Sequence, residues 1–305
     1  MDGCTGKIEQ EMRAGLRAFF TVPYLLDQGM ACLEEKLREA LLFGRLTVLH
    51  YRAFGGTGAG IYRAAAAVEF MILSLDIIDD LQDKDNQETV WGRLSPDIAL
   101  NIALGMLTLS QHLLLTADFP HERSGSAARL MNEQVLAAIN GQTVDLLNNI
   151  ESEEEYMEMI RLKSAGLLAA ACLTGTLLAT GEPLSEVRTY AEELGIAAQM
   201  KNDIRDVLNW DNKNDFWNRK KTLPTLYLLQ SISDEQRWIA DYFAERLQLA
   251  DVVNRKEEIE RIMEESGTLL YSSVRMRTHY YNYLDLVGKI SLAPEWKEQI
   301  LAMAD

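Results

Sequence analysis

The chain has 305 residues, 48 % of them hydrophobic and 25 % charged, a balance that excludes a mainly disordered or low-complexity protein. Its net charge of −16, from 46 acidic and 30 basic residues, speaks against a nucleic-acid partner and favours a divalent cation wherever carboxylates converge. The 3 cysteines, Cys4, Cys32 and Cys172, have no CxxC spacing and indicate neither a zinc site nor a disulfide framework.

The N-terminal stretch MDGCTGKIEQEMRAG lacks a basic region followed by an apolar run, so no signal peptide is expected. With only 19 Gly and 6 Pro, long helices are favoured over many short strands. Helical periodicity runs over 5–20, 28–54, 59–86, 95–116, 123–150, 153–180, 184–212, 222–231, 234–250, 253–286 and 294–304. Gly55-Gly56-Thr57-Gly58 breaks two long helices, and Ser95-Pro96 marks a helix start. Segments 64–75 and 167–178 are apolar on all sides, which implies a central buried layer. The uncharged runs 98–117 and 164–181 reach the length of a membrane span, but their Gly, Thr, Asn and His content favours buried core helices. The expectation is a single all-α domain over 1–305, cytoplasmic and not membrane-spanning.

Segment 64–86 runs apolar and then becomes acidic. Asp76, Asp79, Asp80 and Asp83 are spaced i, i+3, i+4, i+7, which puts four carboxylates on one helix face. Each like-charge pair repels by roughly 0.2–0.5 kcal/mol, and no basic residue lies among them. Hard divalent cations offset such repulsion, and Mg²⁺ typically takes one or two carboxylates plus substrate phosphates. A solvated acidic helix end is the plainer alternative; the buried run just before it shifts the balance toward a site. A second cluster follows in LGIAAQMKNDIRDVLNWD, where Gln199, Asn202, Asp203 and Asp206 share one side of a helix. Two clusters facing each other across a cavity could hold metal ions against a diphosphate. Lys163, Lys220 and Lys221 are cations that could complete it. Elsewhere the plain readings stand: Phe70-Met71 and the tyrosines of 271–283 as core, the acids of 151–155 as a helix start, and His50 and His112 as packed or surface groups.

These residues resemble the trans-isoprenyl diphosphate synthase superfamily over roughly residues 35–290. The first aspartate-rich motif, DDxxD, is matched by Asp79-Asp80-Leu81-Gln82-Asp83. The second, GxxxQxxDDxxD, is matched by Gly195, Gln199, Asn202, Asp203 and Asp206, with Asn202 in place of the first Asp. Lys163-Ser164-Ala165, Gly141-Gln142-Thr143-Val144-Asp145-Leu146 and Lys220-Lys221-Thr222-Leu223-Pro224 resemble three further elements of the superfamily. The resemblance implies the isoprenoid-synthase fold, antiparallel helices around an apolar cavity, and a homodimer. Members that extend a chain with isopentenyl diphosphate carry GKRxRP before the Gly-Gly break, a His three residues after the helix Glu, and Arg-Arg after DDxxD. Here the corresponding stretches are EALLFGRLTVLHYRAFGG, Glu69 followed by Ile72, and Asn86-Gln87-Glu88-Thr89. Arg45, Arg52 and Arg93 are the nearby cations that could compensate.

An intact allylic half beside a dismantled isopentenyl half resembles the ComQ-type branch. Its members attach a geranyl or farnesyl group to a tryptophan of a competence-pheromone precursor. The alternatives are a short-chain synthase with altered isopentenyl contacts and, against the intact DDxxD, a non-catalytic partner subunit. By this resemblance Asp79, Asp80 and Asp83, with Asp76 in support, hold Mg²⁺ on one side, and Asn202, Asp203 and Asp206 on the other. Lys163, Gln199 and Lys220 bind the diphosphate. Ser74 and Leu75, about one turn before DDxxD, bound the prenyl pocket and leave room for a farnesyl chain.

Overall fold

The computed structural model describes residues 2–84, 87–210 and 214–303 and is all-α, with no strand among them. The helices run α1 (Asp2–Phe19), α2 (Pro23–Lys36), α3 (Leu42–Ala53), α4 (Ile61–Asp83), α5 (Pro96–Leu115), α6 (His121–Leu147) and α7 (Glu153–Ile160). A π-helical turn, Arg161–Ala165, leads into α8 (Gly166–Thr180). Then come α9 (Ser185–Leu208), α10 (Leu223–Ser231), α11 (Trp238–Phe243), α12 (Leu249–Val252), α13 (Lys256–Glu265), α14 (Thr268–Lys289) and α15 (Pro294–Leu301). Pro23, Pro96, Pro224 and Pro294 all fall in the first turn of a helix, where the missing N–H costs nothing.

Several expected helices are divided. The expected helix 28–54 is two, because Leu41 takes a left-handed φ of 45°. No Gly or Pro announces this break; Leu41 is fully buried, so tertiary burial rather than local propensity decides it. The expected 253–286 is split at Gly267, which has φ 75°, and 234–250 holds a 3₁₀ turn (Asp234–Gln236), the short α11 and the start of α12. Asn86, at the end of expected helix 59–86, and residues 211–212, at the end of 184–212, lie outside the described residues.

The chain forms two compact units. The first comprises Met1–Ala137, Gly166–Ala191 and Leu284–Asp305. At its heart α4 is buried almost continuously from Ile61 to Ile77, as an all-round apolar helix must be. Helices α1, α3 and α5 pack against α4, and α3 packs against α8. The acidic residues begin where this buried run ends: Asp76, Asp79, Asp80 and Asp83 are all half-buried. Ser74 is fully buried, its Oγ donating to the Met71 carbonyl at 2.7 Å, and Leu75 packs partly buried against the same core.

The second unit comprises Ala138–Ala165 and Glu192–Tyr283. One core gathers Tyr156, Ile160, Ala165, Ile196, Met200 and Leu223, tying α7, the π-turn, α9 and α10 together. A second surrounds Val207, Phe216 and Tyr242. Helix α7 starts with a capping box, Ser152 accepting from the Glu155 N–H, and Glu153, Glu154 and Glu155 fill its first turn as expected of a helix start. Among the described residues two helical stretches, Pro96–Leu115 and Glu153–Thr180, are long and apolar enough to cross a membrane, and 72 % of the most apolar 18-residue window of the second is buried within the protein.

Candidate active site

In the first unit, α4 presents the four aspartates on one face, as the spacing predicts. Asp76 and Asp80 accept from donors elsewhere in the chain. Lys36 Nζ donates to Asp76 Oδ2 at 3.1 Å, and Trp91 Nε1 donates to Asp80 Oδ2 at 2.7 Å. The sequence reading found no base among these acids; Lys36 comes from α2, 40 residues away, where no local pattern could reveal it. The helix stops at Lys84, whose left-handed backbone (φ 58°) lets its N–H bond the Asp80 carbonyl.

In the second unit, three segments meet at close range because two glycines allow it. A Cβ on Gly141 of α6 would lie 2.5 Å from the backbone N of Lys163, and one on Gly195 of α9 would lie 2.6 Å from Ala165 Cα. The π-turn carrying Lys163 therefore rests directly on both backbones. Lys163 Nζ donates to Asp145 Oδ2 at 2.6 Å, with both side chains largely buried. Lys163 is thus not a solvated helix-end lysine. Asp203 is 5 % exposed and both its oxygens are occupied: Tyr156 Oη donates to Oδ2 at 2.5 Å and Gln199 Nε2 to Oδ1 at 2.8 Å.

Burial pushes the Asp203 carboxyl up to about 6, and the negative charges of Asp145 and Asp206 add to it against the two hydrogen bonds. Asp215 is raised too, first by burial and next by the charge of Asp203, while the Thr222 hydroxyl and Lys220 oppose the rise. Asp206 accepts from Arg205 Nε at 3.0 Å, and Asn202 is exposed on the same helix. Lys220 is half-buried before α10, its carbonyl accepting from Thr225 Oγ1 at 2.6 Å.

The structure thus brings together Gln199 and Asp203, and separately Lys163 and Asp145. Tyr156, Asp215, Lys36 and Trp91 were not singled out from sequence. Tyr156 and Lys163 sit seven residues apart, two helical turns, which is the signal that existed for the first. Asp145 stood inside the quoted Gly141–Leu146 stretch.

Both donor sets suit a hard divalent cation, since they offer carboxylate oxygens. Asp203, raised by burial and by neighbouring acids, is a group whose ionised form a nearby cation would favour. Among the described residues no three Asp, Glu, His or Cys side chains already converge on one point. An Mg²⁺-like ion held by one or two carboxylates completes its shell with water and phosphate oxygens.

Comparison with known proteins gives three concordant results. The sequence profile of the polyprenyl synthetase family matches residues 40–263. The chain is 33 % identical over 267 residues to the tryptophan prenyltransferase ComQ of Bacillus subtilis subsp. natto, covering 87 % of this chain and 82 % of that one. It is 27 % identical to the (2E,6E)-farnesyl diphosphate synthase of Mycobacterium tuberculosis (strain ATCC 25618 / H37Rv) over 278 residues, 84 % of this chain and 74 % of the relative. Among solved structures, a decaprenyl diphosphate synthase from Rhodobacter capsulatus superposes with a TM-score of 0.86 at 20 % identity, covering 100 % of this chain and 95 % of that one.

Proposed function

This chain belongs to the polyprenyl synthetase family and is a prenyl-transferring enzyme that uses an isoprenyl diphosphate; we propose that it ionises geranyl or farnesyl diphosphate with Mg²⁺ and transfers the prenyl group to a tryptophan of a competence-pheromone precursor peptide. The family is generally divalent-metal dependent. The observation that carries the acceptor is the 33 % identity to a tryptophan prenyltransferase along 87 % of the chain.

The roles follow from the residues. Asp79, Asp80 and Asp83 on α4, and Asp203 and Asp206 with Asn202 on α9, are the proposed Mg²⁺ ligands. Bound Mg²⁺ supplies charge to stabilise the departing diphosphate. Lys163 and Lys220 add ammonium donors for the same oxygens. Asp145 holds the Lys163 ammonium in place, and Tyr156 and Gln199 fix the orientation of Asp203. The allylic C–O bond breaks with its electron pair going to the diphosphate. The indole π-electrons then form the new C–C bond, and the ring proton passes to the diphosphate, so no histidine base is needed. Ser74 and Leu75 bound the prenyl pocket, where apolar walls keep water from the allylic cation. The same reading takes the chain as one cytoplasmic domain working as a homodimer; the full-length match to a decaprenyl diphosphate synthase supports the single domain.

The 27 % identity to a farnesyl diphosphate synthase favours a second reading, condensation with isopentenyl diphosphate. For either acceptor, Asp79→Asn and Asp203→Asn are each expected to slow Mg²⁺-dependent diphosphate release by roughly 10²–10³-fold, the scale of losing one charge-stabilising group. Release at the unaltered rate in both variants would remove the metal-ligand assignment.

A further inference from the structure

Lys36 ends α2 with a side chain that is only 7 % exposed. Its Nζ donates to Glu39 Oε2 at 2.7 Å and to Asp76 Oδ2 at 3.1 Å. In the same unit Glu69 is fully buried: its Oε1 accepts the Gly44 N–H at 2.6 Å, and its Oε2 accepts no hydrogen bond among the described residues. Burial disfavours the Lys36 charge, but Asp76, Glu39 and Glu69 together outweigh it and raise the pKa. One buried ammonium therefore bonds two carboxylates from two different segments of the chain. A lysine is seldom buried this deeply without such partners.

Asp76 lies one helical turn before Asp79 and Asp80 and shares their face, which is why its spacing alone groups it with the metal ligands. Its Oδ2 is instead directed at an ammonium that reaches it from another helix. We propose that Lys36 is a positioning residue, a fixed counter-ion that takes Asp76 out of the metal-binding set and leaves the divalent ion at this helix end to the carboxylates that follow. Lys36 occupies, for Asp76 and Glu39, the role that a bound cation would otherwise have. Asp76 then has its counter-ion within the chain, at 3.1 Å. The inference rests on the metal-dependent reading above.

The test is Mg²⁺ binding to the full chain without substrate, by titration calorimetry, together with the thermal unfolding midpoint with and without Mg²⁺. Asp79→Asn should weaken Mg²⁺ binding by at least about tenfold, while Asp76→Asn should leave it within about twofold of the parent. Lys36→Met bares Asp76 and Glu39, so Mg²⁺ should raise its midpoint by several degrees more than that of the parent; Lys36→Arg should restore the parental response. Equal weakening by Asp76→Asn and Asp79→Asn would overturn the proposal, as would an unchanged Mg²⁺ response in Lys36→Met. Should Lys36→Met fail to fold, the Asp76→Asn and Asp79→Asn pair decides alone. Parental binding in Asp79→Asn would instead sink the metal reading itself, and this inference with it.

Discussion

His50 is fully buried, with Nδ1 2.8 Å from the Leu46 carbonyl and Nε2 2.6 Å from Tyr190 Oη. A carbonyl only accepts, so Nδ1 carries the proton and Nε2 accepts from the tyrosine. This satisfied neutral ring bears out the reading of His50 as a packed histidine. Burial lowers its pKa from 6.5 to about 4. The sign follows: below pH 6.5 the unfolded chain binds a proton that the folded chain refuses, so stability falls on acidification. The loss is about 1.4 kcal/mol per pH unit between 6.5 and about 4. Urea unfolding of the parent and of His50→Gln across that window should show a steeper pH slope for the parent; identical slopes would contradict the assignment. At α9, Asn202→Asp should lower the Mg²⁺ concentration needed for half-maximal rate, because Mg²⁺ prefers carboxylate to amide oxygen. An unchanged Mg²⁺ dependence would mean that Asn202 is no ligand.

Single elements show what periodicity can and cannot carry. The i, i+3, i+4, i+7 acids of α4 were legible because one helix fixes their common face. The same held for the acidic first turn of α7 and for the buried run of α4. The break at Leu41, the Lys36–Asp76 pair and the π-turn at Lys163 were not legible, since each depends on a neighbour distant in sequence. The π-turn illustrates the cost of disturbing such a contact. Gly141→Ala and Gly195→Ala would each place a methyl within 2.6 Å of the Lys163–Ala165 backbone. Each should lose about 1–3 kcal/mol of stability, the usual scale of overpacking. Each should also shift Lys163 away from Asp145 and slow turnover more than an Ala substitution at exposed Gly288, where a Cβ meets nothing. Chemical denaturation and steady-state rates measure both effects, and parental stability in both variants would contradict the close approach.

For the whole molecule, the acidic composition and the two aspartate-rich stretches already pointed to metal-assisted diphosphate chemistry, because that chemistry needs oxygen donors in numbers that a sequence displays openly. What stayed hidden was how the charge is shared. Lys36 and Trp91 hold two of the α4 carboxylates, and Tyr156 and Gln199 hold Asp203. The proposed acceptor rests on the missing GKRxRP, His and Arg-Arg elements together with the similarity to tryptophan prenyltransferases. The measurement that tests this account most directly offers the purified protein Mg²⁺ and labelled geranyl or farnesyl diphosphate. A Trp-bearing precursor peptide is supplied in one arm and isopentenyl diphosphate in the other, with products read by mass spectrometry. The account predicts a peptide heavier by one prenyl group on its tryptophan and no elongated diphosphate. An elongated diphosphate beside an unmodified peptide would contradict it.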